Sequence, residues 1–211
     1  MADEKIYIKN KHMFKNKWQM IIYIILFCLL IWGFIYLGTK DYSKDITDQE
    51  KMAQSFNMLS EDNVFKIVNA TDARMVANGK KGIVLFGTKN DWVNYYAYLV
   101  NKIAKEVGIT EIYYYDFVKN RSDNNGTYED IVEKLKNYVT YNDKGVGEIY
   151  APSLLVVSND NVLMFDTSTN FVKGNMTPSK YWSKQREDAK IKELTEVFNE
   201  YLKDWGNLWV V

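Results

Sequence analysis

The stretch Lys81–Val107 constrains the fold most, because it joins a fully apolar strand to a long helix through a short polar turn. Gly82–Gly87 is an uninterrupted apolar run, which is typical of a strand buried on both faces. From Asp91 onward, apolar residues recur with helical spacing as far as Val107, and Gly108 is placed to end the helix. The stretch therefore predicts an α/β domain. In such a domain, backbone N–H groups and the helix dipole favour a ligand at the turn between strand and helix.

A second constraint is the apolar run from Trp18 to Leu37, about 20 residues without a charge. This length is enough to cross ~30 Å of hydrocarbon at ~1.5 Å per residue. A cleaved signal peptide and a buried core helix are the alternatives, although no small-residue cleavage motif follows the run. Five lysines precede it and three follow within about 15 residues, which favours a cytoplasmic N-terminus. We predict a cytoplasmic segment at 1–17, a transmembrane signal-anchor helix at 18–38 and an extracytoplasmic remainder in the cell membrane.

Beyond the apolar run, the elements alternate in the order β-α-β-α-β-α-β-β-α. Residues 39–62 are predicted to be a spacer with a short helix, capped by Thr47 and Glu50. The domain covers 63–203, and 204–211 form an apolar tail. The predicted strands are 64–68, 82–87, 111–117, 153–157 and 162–166; the predicted helices are 72–77 capped by Thr71, 91–107, one capped by Thr127, and 187–202. This order predicts one mixed sheet with helices on both faces.

Composition excludes several kinds of chemistry. Cys28 is the only cysteine and His12 the only histidine, and both precede residue 39. The domain therefore lacks the groups needed for a thiol nucleophile, a Ser-His-Asp triad or a Cys/His zinc site. Beyond residue 38, acidic residues outnumber basic ones by three, which argues against a nucleic-acid surface. We predict no cofactor, no metal, no nucleic acid and no enzymatic activity.

The segments GIVLFGTKNDWVNYYAYLVNKIAKEV and Ala151-Pro152-Ser153 followed by LLVV resemble parts of thioredoxin-like proteins. The first is similar to the central strand and active-site helix, and the second to the cis-proline loop. The likeness is closest to membrane- or export-associated members described as bacteriocin-transport accessory proteins. It covers Asn63 to Leu202 and implies a thioredoxin-like fold, a cis Ala151–Pro152 bond and a backbone edge that pairs with extended peptide.

The chain departs from this family where the family carries Cys-x-x-Cys. Here the motif reads Asn90-Asp91-Trp92-Val93 or, shifted by one residue, Asp91-Trp92-Val93-Asn94. Thiol–disulfide exchange requires a thiolate, so that activity is lost at the usual site. The link Val118–Gly147 is also longer than in plain thioredoxin.

The turn and the proline loop together form the predicted site. Asp91 suits an N-cap better than an acid or base, because the helix dipole favours its charged form. Trp92 is either an exposed anchor for a partner or a packing residue. The predicted binding residues are Asn90, Asp91, Trp92, Val93, Ala151 and Pro152.

The predicted function is that of a redox-inactive, membrane-anchored binding or accessory module of a cell-envelope or export system. Its partner would be a protein or an extended peptide. One alternative is a carboxylate-dependent enzyme that uses Asp123, Glu129 and Asp130, and another is a structural spacer. The sequence leaves the oligomeric state and the identity of the partner open.

Overall fold

The computed structural model describes residues 17–39, 46–118, 121, 126–169, 172 and 176–206. The chain separates into two units after residue 45. In the first unit, helix α1 spans Lys17–Thr39, and its described side chains, at positions 18–32, are all exposed. Within the described residues, no helix is both long and apolar enough to cross a membrane. The predicted span from Trp18 to Leu37 therefore stays a prediction.

The second unit is built on a mixed sheet. The strands in chain order are β1 Phe65–Ile67, β2 Gly82–Gly87, β3 Ile112–Asp116, β4 Thr140–Tyr141, β5 Gly147–Glu148, β6 Ser153–Ser158 and β7 Asn161–Asp166. Five of them form one sheet in the order β1-β3-β2-β6-β7, while β4 and β5 make a separate two-stranded hairpin. Strands β1, β3 and β2 are parallel, and β6 and β7 run antiparallel to their neighbours. The predicted mixed sheet is confirmed.

Helices cover both faces of this sheet. They are α2 Asp48–Ser55, α3 Ala70–Ala77, α4 Asp91–Val107, α5 Thr127–Lys134, α6 Pro178–Tyr181 and α7 Lys184–Gly206. One core lies between the sheet and α2, α4 and α7, and it contains Leu85 from the central strand. The other lies between the sheet and α3 and α5, and it contains Phe86. All six residues of β2 are buried because its side chains alternate between these two cores.

The second unit begins at residue 46, so α2 belongs to it rather than to a separate spacer. Met52 and Phe56 are each 1% exposed and lie in the core beneath α4. The predicted capping box is present, because Glu50 N donates to the Thr47 hydroxyl and Thr47 N donates to the Glu50 carboxylate. Asp48 also accepts a hydrogen bond from Ile67 N, which joins α2 to the edge strand β1.

Two predicted helix starts are wrong. Asn69, rather than Thr71, caps α3, because its side-chain oxygen accepts from Thr71 N at 2.8 Å and from Asp72 N at 3.1 Å. Thr127 is the first residue of α5 rather than its cap, since Gly126 with a φ of 76° occupies the cap position. The helix ends at Lys134, so Tyr138 lies beyond it and is 46% exposed.

Candidate functional site

Helix α4 begins at the predicted turn, and the side chain of Asn90 caps it. The Asn90 side-chain oxygen accepts a hydrogen bond from Val93 N at 2.9 Å. Asp91 is therefore not the cap but the first helical residue, where it is exposed to solvent. Its charge lies beside the positive end of the helix dipole, which stabilises a carboxylate. The cap lies one residue earlier than predicted, because the side-chain oxygen of Asn90 already accepts from a free N–H group of the first helical turn.

The next two residues of the predicted motif are used for packing. Val93 is fully buried, so this predicted binding residue presents no side chain to the surface. Trp92 is partly buried, and its ring meets that of Tyr181 edge-on, with 5.6 Å between the ring centroids. The packing interpretation of Trp92 therefore agrees with its position. Of the four residues, Asn90 and Asp91 carry the polar side chains at the helix start.

The proline loop lies at the same end of the sheet as this turn. The Ala151–Pro152 bond is cis, as the resemblance implied, and Pro152 itself is buried. Strands β2 and β6 pair as far as Phe86 and Ser153, so the residues after Phe86 lie beside those before Ser153. The Ser153 hydroxyl donates to the Tyr150 carbonyl at 2.6 Å and holds the loop against the strand.

Thr88 and Ala151 line the same open groove at this end of the sheet. The groove, here called the edge groove, has a volume of about 430 Å³. It is lined by Thr88, Phe117, Val118, Arg121, Tyr150 and Ala151. Its floor is apolar, because Phe117 is buried beneath it and Val118 contributes a side chain that is 46% exposed.

Asn90 and Asp91 face a different surface. They line a polar groove of about 440 Å³ next to the end of α2, together with the amide residues Asn57 and Asn94. The Asn94 amide donates to the Asn57 side-chain oxygen at 2.6 Å. The predicted site residues are thus divided between two grooves and the core, and Ala151 is the one that lines the edge groove.

A buried ionic network was not predicted from the sequence. The Lys190 ammonium lies 2.9 Å from the Asp166 carboxylate and 2.6 Å from that of Glu193. The Tyr96 hydroxyl also donates to Asp166, whose other oxygen accepts from Ser168 N at 2.9 Å. These contacts join α4, β7 and α7. A signal was present, because Lys190 falls on the same helical stripe as the buried Leu194 and Phe198.

The charges in this network stabilise one another. Burial alone would raise the pKa of Asp166, but the Lys190 ammonium and the hydrogen bonds from Tyr96, Lys190 and Ser168 hold it below its usual value. Burial likewise opposes protonation of Lys190, yet the nearby carboxylates raise its pKa. Burial and the negative charge of Asp166 raise the pKa of Tyr96 far above its ordinary value. Asp166 and Lys190 are therefore charged and Tyr96 neutral at pH 7, and neither groove is lined by them.

An aromatic cluster, made of Trp92, Tyr95, Tyr96, Tyr181 and Trp182, packs α6 onto α4. Trp182 is 5% exposed and stacks on Tyr95 and Tyr96, with ring centroids 6.0 and 6.1 Å apart. The Tyr95 hydroxyl donates to Glu187 at 3.0 Å, and burial together with this carboxylate raises its pKa to about 12. The cluster packs the first turns of α4 against α6.

The carboxylates of the enzyme alternative are exposed where they are described. Asp130 pairs with Arg74 at 3.0 Å on the surface, and Glu129 is also exposed. Asp123 lies outside the described residues. In the ranges that the structure covers, no three His, Cys, Asp or Glu side chains come together in a way that could hold a metal ion. The absence of enzymatic activity and of cofactors stays a prediction.

No protein-family model matches the chain, and no curated protein matches it either. The candidate site is therefore defined by its own geometry: the start of α4 and the proline loop at one end of the sheet, with an apolar groove between Thr88 and Ala151.

Proposed function

We propose that the second unit is a thioredoxin-like domain that binds an extended polypeptide in the edge groove and carries out no redox chemistry. The strand order supports this fold, because central strand β2 lies between parallel β3 and antiparallel β6. Helix α4 follows β2 directly, and a cis-proline segment precedes β6. Both features are those on which the sequence resemblance depends.

The observation that carries the proposal is the shared groove of Thr88 and Ala151. The ladder between β2 and β6 ends at the pair Phe86–Ser153, so the backbone of Ala151 lies outside it. An extended segment can therefore add main-chain hydrogen bonds at this position, while its side chains pack on the apolar floor. Backbone pairing of this kind gives affinity, and the floor gives selectivity.

The chemistry of the residues favours binding over catalysis. The only cysteine of the chain is Cys28, so the second unit has no thiolate to attack a disulfide. The strongly stabilised charges of Asp166 and Lys190 are buried away from the edge groove. A polypeptide held there would be bound without being modified.

Helix α1 is proposed to anchor this domain in the cell membrane, with the domain outside the cytoplasm. The helix has 23 residues, and its described apolar side chains are all exposed. In water, such a surface would be unfavourable, whereas lipid would cover it. The excess of lysines before the helix supports the orientation.

The orientation can be tested by thiol labelling in intact cells. Ser60 is exposed in the second unit, so Ser60→Cys in a Cys28→Ser background gives a single accessible thiol. A membrane-impermeant maleimide is expected to label this variant without permeabilisation. Labelling that appears only after the cells are permeabilised would overturn the extracytoplasmic placement.

The binding proposal can be tested by site-specific photo-crosslinking in native membranes. A photoreactive side chain at Val118 lies on the floor of the edge groove, where it is expected to give a discrete adduct with a polypeptide. Ile67 on edge strand β1 is the matched control, because it is also apolar and is 39% exposed compared with 46% for Val118. Equal adduct yields at both positions, or none at Val118, would refute binding at this groove.

A further inference from the structure

Arg121 gives the edge groove a charge that its remaining lining lacks. It is the one formally charged residue among the described side chains that line the groove, and it is exposed. Its guanidinium hydrogen-bonds the Tyr128 hydroxyl, which uses part of its donor capacity. A guanidinium has five N–H donors in a planar fork, so donors remain for a carboxylate.

Three described glutamates near Arg121 line a different groove. Arg121 also borders a second groove, here called the acidic groove, of about 310 Å³. Glu129, Glu133 and Glu148 line that groove, and none of them lines the edge groove. The Glu148 carboxylate is already engaged, because it accepts hydrogen bonds from Asn142 at 2.9 Å and from Tyr150. The glutamates of the acidic groove therefore repel an anionic partner, and such a partner can approach Arg121 through the edge groove.

The edge groove combines an apolar floor with one cation, and this combination indicates which side chains a bound peptide should carry. Phe117 and Val118 lie four and three residues before Arg121, respectively, and contribute to the same groove. In an extended peptide, residues i and i+2 point to the same side. One side chain can pack on the floor while the next on that side reaches the guanidinium.

From this arrangement, and resting on the proposed function, we infer that the edge groove selects extended segments with an apolar residue and an acidic residue two positions apart. The apolar side chain packs against Phe117 and Val118. The carboxylate forms a charge-assisted hydrogen bond with Arg121, which is stronger than one between neutral groups.

The test uses the full chain in detergent and acetylated heptapeptides labelled with a fluorophore. One peptide carries Leu at its fourth position and Asp at its sixth; its partner differs only by Asn in place of Asp. Anisotropy is expected to show about tenfold tighter binding of the Asp peptide. Arg121→Glu is expected to abolish or reverse this preference, and added salt to weaken it.

Lys144→Glu is the matched control, because it makes the same charge change at an exposed residue of the β4–β5 turn that lines neither groove. It is expected to leave the preference intact. Equal affinity for the Asp and Asn peptides, or an equal effect of both substitutions, would overturn the inference. Binding of neither peptide would overturn it too. The proposed function is decided separately by the Val118 adduct, which does not depend on the charge of the partner.

Discussion

Replacing Lys190 by methionine is expected to lower the free energy of unfolding by about 3–5 kcal/mol. The side chains of Lys190 and Asp166 are 9% and 4% exposed. Among the described residues, the Lys190 ammonium is the only cation paired with the Asp166 carboxylate. Methionine fills a similar volume but leaves the Asp166 charge buried without its counter-ion. The loss should appear in urea unfolding of the detergent-solubilised chain as a lower midpoint.

A control on the same helix separates burial from charge pairing. Lys192 pairs with Glu196 at 3.9 Å, but both side chains are exposed, at 80% and 69%. Lys192→Met is therefore expected to cost at most about 0.5 kcal/mol. Adding Asp166→Asn to Lys190→Met should recover part of the loss, because the buried charge is removed. If Lys190→Met costs no more than Lys192→Met, the network does not hold α7 to β7.

Replacing Trp182 by alanine is expected to cost about 3–5 kcal/mol, because it opens a cavity in the aromatic cluster. Trp182 touches the rings of Tyr95, Tyr96 and Tyr181, with ring centroids 5.1–6.1 Å away. The substitution should therefore loosen the contact between α6 and α4. Urea unfolding followed by circular dichroism measures the effect.

Trp182→Phe is the informative partner of this substitution. The indole Nε1–H is buried and has no hydrogen-bond partner among the described residues. Phenylalanine keeps much of the ring stacking and removes this unsatisfied donor, so the two changes partly offset each other. We expect it to cost less than half as much as alanine. An equal loss for Phe and Ala would contradict a stabilising role of ring stacking in the cluster.

The elements predicted best are those in which local preference and tertiary burial agree. Strand β2 and helix α4 begin and end where the sequence predicted, because the apolar run, the capping amide of Asn90 and the left-handed Gly108 are all local signals. The hairpin of β6 and β7 is similar, since Asn159 and Asp160 accept the positive φ values of its turn. The capping box of α2 was also predicted correctly.

The parts that were missed depend on contacts between distant residues. Lys190 falls on the buried stripe of α7, but its partner Asp166 comes from β7 and is 24 residues away in the chain. Val93 lies only two residues after exposed Asp91, yet it faces the core because it is on a different face of the helix. The edge groove likewise combines Thr88, Val118 and Ala151, which are far apart in the chain. A linear motif could indicate this end of the sheet, but not which side chains line it.

The most direct test of polypeptide binding is the Val118 photo-adduct in native membranes, measured with and without an obstruction in the groove. Thr88→Arg places a bulky side chain in the edge groove, while Thr110→Arg makes the same change outside the edge groove, before β3. Thr88→Arg is expected to abolish the Val118 adduct, and Thr110→Arg is expected to leave its yield unchanged, with both variants folded by circular dichroism. An adduct that persists at full yield in Thr88→Arg would contradict binding in the edge groove.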